Sequence, residues 1–437
     1  MSDAASGSAG ETGFLPVRLQ PTEPAAQARF EARSQRLMDL VEGRQPDRMP
    51  VVMYATFWLA KYAGISCKEL MYNYEGTKDI ALRAVQEFDP DIAAPGMMAA
   101  NVFGPSMELM DFKQLQWPGH GVGEHQPYQY LDREYMFKEE YEQLMADPTG
   151  FYLRKYLPRV SGALEGLADM PDLPGMYYFR LISGLRGFNK PSVRQALMNL
   201  LKVAEEVDVM TGHIVDFSSK LTNLGYPRDS GSNGVSPYDF IADYLRGARG
   251  MMTDLFRKKD QLMALLDRSR EWLTRIAIDN AKMAGHPIVM IPIHWAPDAF
   301  MSDKVFREVY WPPFRQMLCD MIDAGLIPMP LWEADCSKRL EIIKDVPRGK
   351  CIYWFERTPL TLANEVLEGQ VALRGNLSPS MMTTGTPDDV DAAVKNLVDN
   401  VWNKGGRLLL DCAFGIPDET PVPNVRAMFD AARKYAG

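Results

Sequence analysis

Features of secreted, disulfide-bonded and membrane proteins are missing from this sequence. It has five cysteines among 437 residues and no Cys-x-x-Cys pair. An odd and sparse set of cysteines argues against a disulfide framework and for a reducing compartment. The polar first residues contain no apolar signal segment, and no apolar run reaches the ~18 residues that a membrane span needs. We therefore expect a cytoplasmic protein without membrane contact.

Signals for nucleic-acid and nucleotide binding are missing as well. The formal net charge is −9 and no cluster of lysine and arginine stands out, whereas binding to a phosphate backbone needs clustered cations. No Gly-x-Gly-x-x-Gly opens a helix after a strand, and there is no Walker A motif. These absences disfavour nucleic-acid partners, dinucleotide-binding sheets and P-loop enzymes.

The chain does have the composition of a folded globular protein. Hydrophobic residues make up 46% and charged residues 24%, which permits a large buried core. Residues 1–27 are rich in Gly, Ser, Ala and Pro without periodicity, and they are predicted to be a disordered tail. The apolar spacing over residues 28–42 predicts a helix. Residues 28–437 have the length of one elaborated domain.

Short apolar runs mark the strands of an α/β fold. The first run is 51–54, residues 91–94 are a second candidate, and the last third repeats the pattern at 288–293, 327–331, 351–355, 371–373 and 408–410. Helical stretches separate these runs, which predicts a parallel sheet, either a (β/α)8 TIM barrel or a doubly wound sheet. The irregular residues 95–235 are predicted to add helices and long loops over the barrel mouth.

Polar side chains follow each of the five late runs. The strands of a barrel end at the face where substrates bind, so side chains at those ends can line an active site. They are His294, Trp295 and Asp298 after the first late run, Trp332, Glu333 and Cys336 after the second, Glu356 after the third, Arg374 and Asn376 after the fourth, and Asp411 and Cys412 after the fifth. Five consecutive endings of this kind predict a functional site.

The side chains in this set that are capable of binding a metal are His294, Glu333, Cys336 and Cys412. Strand ends around a barrel can converge on one ion, and a catalytic zinc takes three N, S or O ligands and keeps one position open. Structural roles are the alternative. Free cysteines commonly pack in cores, His294 could bond a neighbouring loop, and Glu333 could pair with Arg339 or Arg374.

Proton transfer and ring binding are the other chemistries that these residues offer. The candidate acids and bases are His294, Glu333, Asp298 and Glu356. Aromatic residues at strand ends suit a flat ring substrate, although core packing explains any one of them equally well. The predicted substrate-binding set is Tyr54, Trp58, Trp295, Trp332, Trp354, Arg374 and Asn376.

Motifs in the second half of the chain resemble the uroporphyrinogen decarboxylase superfamily. The segment Leu373-Arg374-Gly375-Asn376-Leu377-Ser378-Pro379 is similar to its Gly-Asn-(Leu/Val)-x-Pro loop. Residues 415–428 resemble its closing pattern Gly-Ile-x-x-x-Thr-Pro-x-x-Asn, and residues 299–314 and 385–390 resemble two further segments. The resemblance covers about residues 237–437. It implies a (β/α)8 barrel over residues 28–437, with the active site at the C-terminal ends of the strands.

One branch of that superfamily fits this chain poorly. True uroporphyrinogen decarboxylases follow their first strand with Met-Arg-Gln-Ala-Gly-Arg, whose arginines hold substrate carboxylates. Here the same place reads Met53-Tyr54-Ala55-Thr56-Phe57-Trp58, and both arginines are missing. A substrate with eight carboxylates needs such cations. The chain is therefore not expected to be a typical uroporphyrinogen decarboxylase.

The other branch holds zinc- and cobalamin-linked methyltransferases, which bind zinc through His-x-Cys on one strand and a Cys before the closing Gly-Ile. Cys412 falls at that last place, displaced by one residue, and the His-x-Cys place reads Leu331-Trp332-Glu333, followed by Cys336. The resemblance implies zinc held by a Glu/Cys/Cys set, with His294 as a further candidate. No Asp-x-His-x-x-Gly cobalamin motif is present, so any corrinoid would arrive on a separate protein.

Three hypotheses follow. The first is a metal-assisted methyltransferase that moves a methyl group between a small aromatic or methylated substrate and a corrinoid carried by another protein. The second is a metal-independent decarboxylase or lyase, in which Arg374 binds a carboxylate and His294, Asp298 or Glu356 transfers protons. The third is a non-catalytic barrel that acts as a docking partner. Bound metal separates the first two, and the oligomeric state stays open.

Overall fold

The computed structural model describes residues 19–172 and 176–437. Most of the predicted tail, residues 1–18, lies outside the described ranges. The first helix is Pro24–Glu42, so it begins four residues before the predicted start at Ala28. Pro24 suits the first turn of a helix, and Gly43 ends the helix with a left-handed φ of 90°.

Eight short parallel strands form the centre of the fold. In chain order they are β1 (Val52–Met53), β2 (Ile92–Ala93), β3 (Ser232–Asn233), β4 (Ile288–Ile293), β5 (Ile327–Trp332), β6 (Ile352–Phe355), β7 (Ala372–Leu377) and β8 (Leu408–Cys412). Strands β3 to β8 make one six-stranded sheet in sequence order, and β1 pairs with β2. Every one of these pairings is parallel.

Two isolated bridges close the strands into a ring. Val51, next to β1, forms a parallel bridge with Leu410 of β8. Ala93 of β2 forms a parallel bridge with Arg228, and its amide donates to the carbonyl of Pro227 at 3.1 Å. These contacts join the two-stranded pair to both ends of the six-stranded sheet. The predicted α/β fold and (β/α)8 barrel are thereby confirmed.

Helices surround the barrel. After β1 they are Trp58–Ala63, Cys67–Tyr72 and Tyr74–Phe88; after β3, Pro237–Ile241, Gly247–Arg257 and Lys259–Ala284; after β4, Asp303–Val305 and Trp311–Asp323; after β5, Leu340–Ile343; after β6, Leu360–Leu367; after β7, Pro379–Thr384 and Pro387–Asn400; and after β8, Val422–Ala436. Thr386 caps the helix that begins at Pro387 in a capping box. None of the helices in the described ranges is long and apolar enough to cross a membrane.

The long connection between β2 and β3 forms an added layer. Its main elements are the helices Gly96–Ala99, Gly104–Met110, Tyr141–Ala146, Pro148–Phe151, Leu157–Val160, Tyr178–Gly184 and Pro191–Asn223, and the small strands Leu115–Pro118, Gly121–Val122 and Gln129–Tyr130. The amides of Tyr135 and Met136 donate to the carbonyl of Leu245 at 2.8 and 2.7 Å. Because Leu245 follows β3, these bonds attach the layer to the mouth side of the barrel.

Candidate active site

Asp239 lies in the helix that follows β3 and binds the backbone at the end of β4. Ser236 caps this helix by accepting the amide of Asp239 at 3.1 Å. The buried Asp239 carboxylate accepts the amides of His294 and Trp295 at 2.8 and 2.9 Å and the hydroxyl of Tyr310 at 2.6 Å. Burial, and after it the charge of Asp243, raises the pKa of Asp239. This carboxylate therefore fixes the backbone position of His294, from which its side chain extends.

His294 lies between two further carboxylates. Its Nδ1 is 2.6 Å from Oδ2 of Asp243, and its Nε2 is 3.4 Å from Oε1 of Glu333. The other oxygen of Asp243 accepts the indole N–H of Trp295 at 2.6 Å. Burial lowers the pKa of His294, but the hydrogen bonds to Asp243 and Glu333 outweigh burial and raise it to about 11. The two acids thus create a field that favours a cation at this point of the barrel mouth.

An overlapping set of side chains lies close enough together to hold a metal ion. Asp239, Asp243 and His294 offer donor atoms that all lie within 4.8 Å of one another. The oxygens of Asp239 already accept four protein donors, one of them the hydroxyl of Ser236, which leaves His294 Nε2 and Glu333 as the freer pair. Two ligands of a tetrahedral zinc at ~2.0–2.2 Å stand about 3.3 Å apart, close to the 3.4 Å seen here. In such a site Asp243 on Nδ1 would be the outer carboxylate that orients the histidine.

The cysteines do not join this cluster, which corrects the predicted ligand set. The thiol of Cys412 lies 3.7 Å from the sulfur of Met428, in the helix Val422–Ala436 outside the barrel. The amide of Cys336 donates to Thr358 Oγ1, and its thiol points to the carbonyl of Glu333 at 3.7 Å. Burial raises the pKa of both thiols, which disfavours the thiolate that zinc requires. Of the four predicted ligands, the structure brings together His294 and Glu333.

Asp298 and Glu356, predicted as acids or bases, bind the loop that carries Glu333. The Asp298 carboxylate accepts the amide of Lys338 at 3.0 Å and lies 3.5 Å from Nε of Arg339. Glu356 accepts the amide of Ala334, and its own amide donates to the carbonyl of Trp332 at 3.0 Å. Both carboxylates therefore position the loop after β5. The alternative partner proposed for Glu333, Arg339, binds Asp298 and Asp303 instead.

Arg374 forms ion pairs inside the barrel, which corrects its predicted role in holding a substrate carboxylate. Its guanidinium is fully buried and pairs with Asp229 at 2.9 Å and Asp411 at 2.8 Å. The guanidinium carbon also lies 3.6 Å from the ring centre of Trp354. Two internal carboxylates thus neutralise this cation, and no face of it reaches solvent.

The predicted aromatic set divides into two groups. Trp295 lies in the site, and Tyr54 packs edge-on against Trp354 at 5.5 Å inside the barrel. Trp58 and Trp332 instead pack between the strands and the outer helices, which corrects their predicted substrate contact. The same correction applies to Trp354, which is fully buried with its indole N–H bonded to the carbonyl of Cys412 at 3.3 Å. Trp58 stacks on Tyr62 and bonds the carbonyl of Thr420, while Trp332 packs on Phe314 and Tyr353. Asn376 is tied to the carbonyl of Thr358 at 2.7 Å.

Sequence reasoning missed Asp239 and Asp243. Strand β3 has two polar residues, Ser232 and Asn233, so no apolar run marked it. Because that strand was not predicted, no strand pattern in the sequence indicated that the acids after it lie at the barrel mouth. A usable signal was present, because Ser236-Pro237 opens a helix and the two acids lie four residues apart, one turn from each other.

Comparisons with known proteins agree with this architecture. Residues 233–435 match the family model described as uroporphyrinogen decarboxylase (URO-D), from β3 to the last helix. The chain is similar in structure to a methyltransferase from Methanosarcina mazei, with a TM-score of 0.56 and 16% identity. That likeness covers 92% of this chain and 98% of the other. At this identity it establishes the shared fold, and the resemblance predicted from the sequence motifs is confirmed.

Proposed function

We propose that this chain is a metal-assisted methyltransferase, since residues 233–435 match the uroporphyrinogen decarboxylase family model while positions 54 and 58 lack the arginines of a typical decarboxylase. It would move a methyl group between a small aromatic or methylated substrate and a corrinoid carried by a separate protein. The observation that carries the proposal is His294 held between Asp243 and Glu333 at the mouth of the barrel. The fold shared with a methyltransferase supports it.

The barrel interior is poorly suited to a polycarboxylate substrate. The places of the two missing arginines are occupied by Tyr54 and Trp58, and neither side chain carries a positive charge. Arg374 is neutralised by Asp229 and Asp411. An aromatic or methoxylated molecule needs no such cations, and the partly exposed Trp295 supplies aromatic surface at the mouth.

The residues of the site have separable tasks in this proposal. A bound zinc would polarise the oxygen of a methoxy group or lower the pKa of an acceptor thiol. Asp243 accepts the Nδ1 proton of His294, so Nε2 is the ring atom turned toward Glu333. Glu333 supplies the second donor. Asp239 holds the backbone amides of His294 and Trp295, and Glu356 holds the loop of Glu333.

Metal analysis of purified variants tests the proposal first. We expect close to one zinc per chain in the wild type after reconstitution under reducing conditions, and loss of zinc in His294→Gln and Glu333→Gln. Cys412→Ala is the matched control, because its thiol lies outside the barrel and metal should be retained. Methyl transfer from a methoxylated aromatic to free cob(I)alamin, followed by absorbance, then tests the activity. A wild type that binds no zinc contradicts the mechanism.

A metal-independent decarboxylase or lyase is the second candidate. The raised pKa of His294, about 11, favours an imidazolium that could donate a proton from Nε2. Arg374 would not bind the substrate carboxylate, because it is buried against Asp411 and Asp229. Release of CO2 from a small carboxylic acid by metal-free protein, abolished in His294→Gln, would support this candidate against the first.

A further inference from the structure

The helix Pro191–Asn223 has one face against the protein and an opposite face that carries exposed apolar side chains. Val193, Ala196, Val203 and Met210 are buried on the inner side. On the outer side, Leu201 is 64% exposed and Met198 is 46% exposed. Large apolar residues on the outer face of a helix that already packs by its inner face indicate a binding surface.

Charged residues on that outer face follow an ordered pattern. We define the outer face by Arg194, Met198, Leu201, Glu205 and Asp208, which alternate at spacings of four and three and so share one side of the helix. Arg194 lies seven residues before Leu201, and Asp208 lies seven residues after it. The two charges are about 21 Å apart along the axis, beyond the Debye length of about 8 Å. Neither forms an ion pair within the described parts of the chain.

We propose that this outer face is an antiparallel two-fold interface with a second copy of the chain. A two-fold axis through Leu201 places the two Leu201 side chains against each other. It also places Arg194 opposite Asp208 of the partner subunit, and the reverse pair on the other side of the axis. A parallel pairing would instead set Arg194 against its own copy. The face is thus complementary to itself in the antiparallel sense alone, as an isologous contact requires.

The segment that leads into the helix extends the apolar surface. Residues 176–190 contain no acidic residue. Tyr178, Phe179 and Ile182 are 60%, 67% and 68% exposed, and Arg180 and Arg186 lie among them. Under the same two-fold axis, this basic segment lies toward the acidic half of the partner's helix, which continues the charge match.

A lipid surface fits the outer face less well than a second copy. Interfacial helices bind anionic lipids through an apolar side flanked by lysine and arginine. Here Glu205 and Asp208 share the face with Leu201, so lipid phosphates would meet two carboxylates. The formal net charge of −9 adds a repulsion from anionic lipid over the whole molecule. The partner subunit's Arg194 lies opposite Asp208 in the two-fold pairing, whereas an anionic membrane offers that acid no cation.

Sedimentation velocity of the full chain across micromolar concentrations tests the interface. We expect the wild type to dimerise. Leu201→Arg, Arg194→Glu and Asp208→Lys should each raise the dimer Kd by about tenfold or more, because like charges then face each other across the axis. The combined variant Arg194→Glu with Asp208→Lys should restore the Kd to within about threefold of the wild type. Arg275→Glu, on the exposed side of Lys259–Ala284, is the matched control and should change nothing.

Each outcome decides the proposal. Circular dichroism confirms that every variant is folded, and the charge-swap rescue cannot arise from misfolding. A monomeric wild type overturns the interface, as does a dimer that ignores Leu201→Arg. Weakening by both single reversals without rescue by the pair overturns the antiparallel geometry. Flotation of a monomeric chain with phosphatidylcholine–phosphatidylglycerol vesicles, but not with phosphatidylcholine alone, would replace the second copy by a lipid surface.

Discussion

Arg374 and Asp411 form a fully buried ion pair inside the barrel, with Nη2 of the arginine 2.8 Å from Oδ2 of the aspartate. Asp229 binds the other side of the same guanidinium at 2.9 Å. One cation thus holds two carboxylates away from water. Arg374, which was predicted from the sequence to bind substrate, therefore has a structural role in the barrel interior.

Removing that cation should destabilise the barrel strongly. Arg374→Met leaves Asp229 and Asp411 buried without a partner, and we expect a loss of about 3–5 kcal/mol in the free energy of unfolding. Asp411→Asn is the matched control, since Arg374 keeps Asp229 and the loss should be smaller. Urea unfolding measures both. A loss below about 1 kcal/mol for Arg374→Met would show that the buried pair is not needed.

The buried His286 should make the protein less stable in mild acid. Burial lowers its pKa from 6.5 to about 4, and its Nδ1 accepts the amide of Ile288 at 3.3 Å, so the folded protein keeps the ring neutral. Because the folded pKa lies below the unfolded one, this stability is complete above pH 6.5 and is lost as the pH falls toward 4. The upper limit is roughly 3 kcal/mol.

The measurement is the free energy of unfolding at several pH values for the wild type and His286→Gln. The difference between the two should shrink between pH 6.5 and 4, since glutamine does not titrate. His120→Gln, at an exposed position, is the control for the replacement of a histidine by glutamine. Parallel profiles for the wild type and His286→Gln would contradict the assignment.

Asp243 and Glu333 should affect metal affinity to different degrees. Asp243→Asn keeps a partner on His294 Nδ1 but removes its charge, which typically weakens metal binding by about 10–100-fold. Glu333→Gln removes a direct donor and should weaken binding further. Competition with a chromophoric chelator measures both constants. Equal affinities in Asp243→Asn and the wild type would remove Asp243 from the site.

Trp295 and Trp332 should separate activity from stability. Trp332 is fully buried between Phe314 and Tyr353, so Trp332→Ala should cost about 3–5 kcal/mol of unfolding free energy. Trp295→Phe removes the indole N–H that binds Asp243 but keeps an aromatic ring. We expect it to lower turnover with little change in the melting temperature. The opposite pattern, a stability defect in Trp295→Phe alone, would return Trp332 to the site.

By itself, the sequence determined the strands and the edge of the sheet where the site lies. The apolar run 288–293 became β4 without change, and the runs at 327–331, 351–355, 371–373 and 408–410 became β5 to β8 with shifted ends. Uninterrupted apolar runs identify buried parallel strands because both faces of such strands are covered. The two polar residues of β3 give no such signal. Because β3 was not predicted, the acids Asp239 and Asp243 that follow it were not predicted as site residues either.

Only the tertiary structure decided which polar residues at that edge face one another. Neighbouring residues on a strand point to opposite sides, and a run of apolar residues does not say which side is the barrel interior. Asp411 points inward to Arg374, so Cys412 points outward to Met428. Trp332 points outward, and the next residue, Glu333, meets His294. The sequence predicted that these side chains lie at one edge of the sheet. Which two of them come into contact, His294 and Glu333, depends on the strand register of the closed barrel.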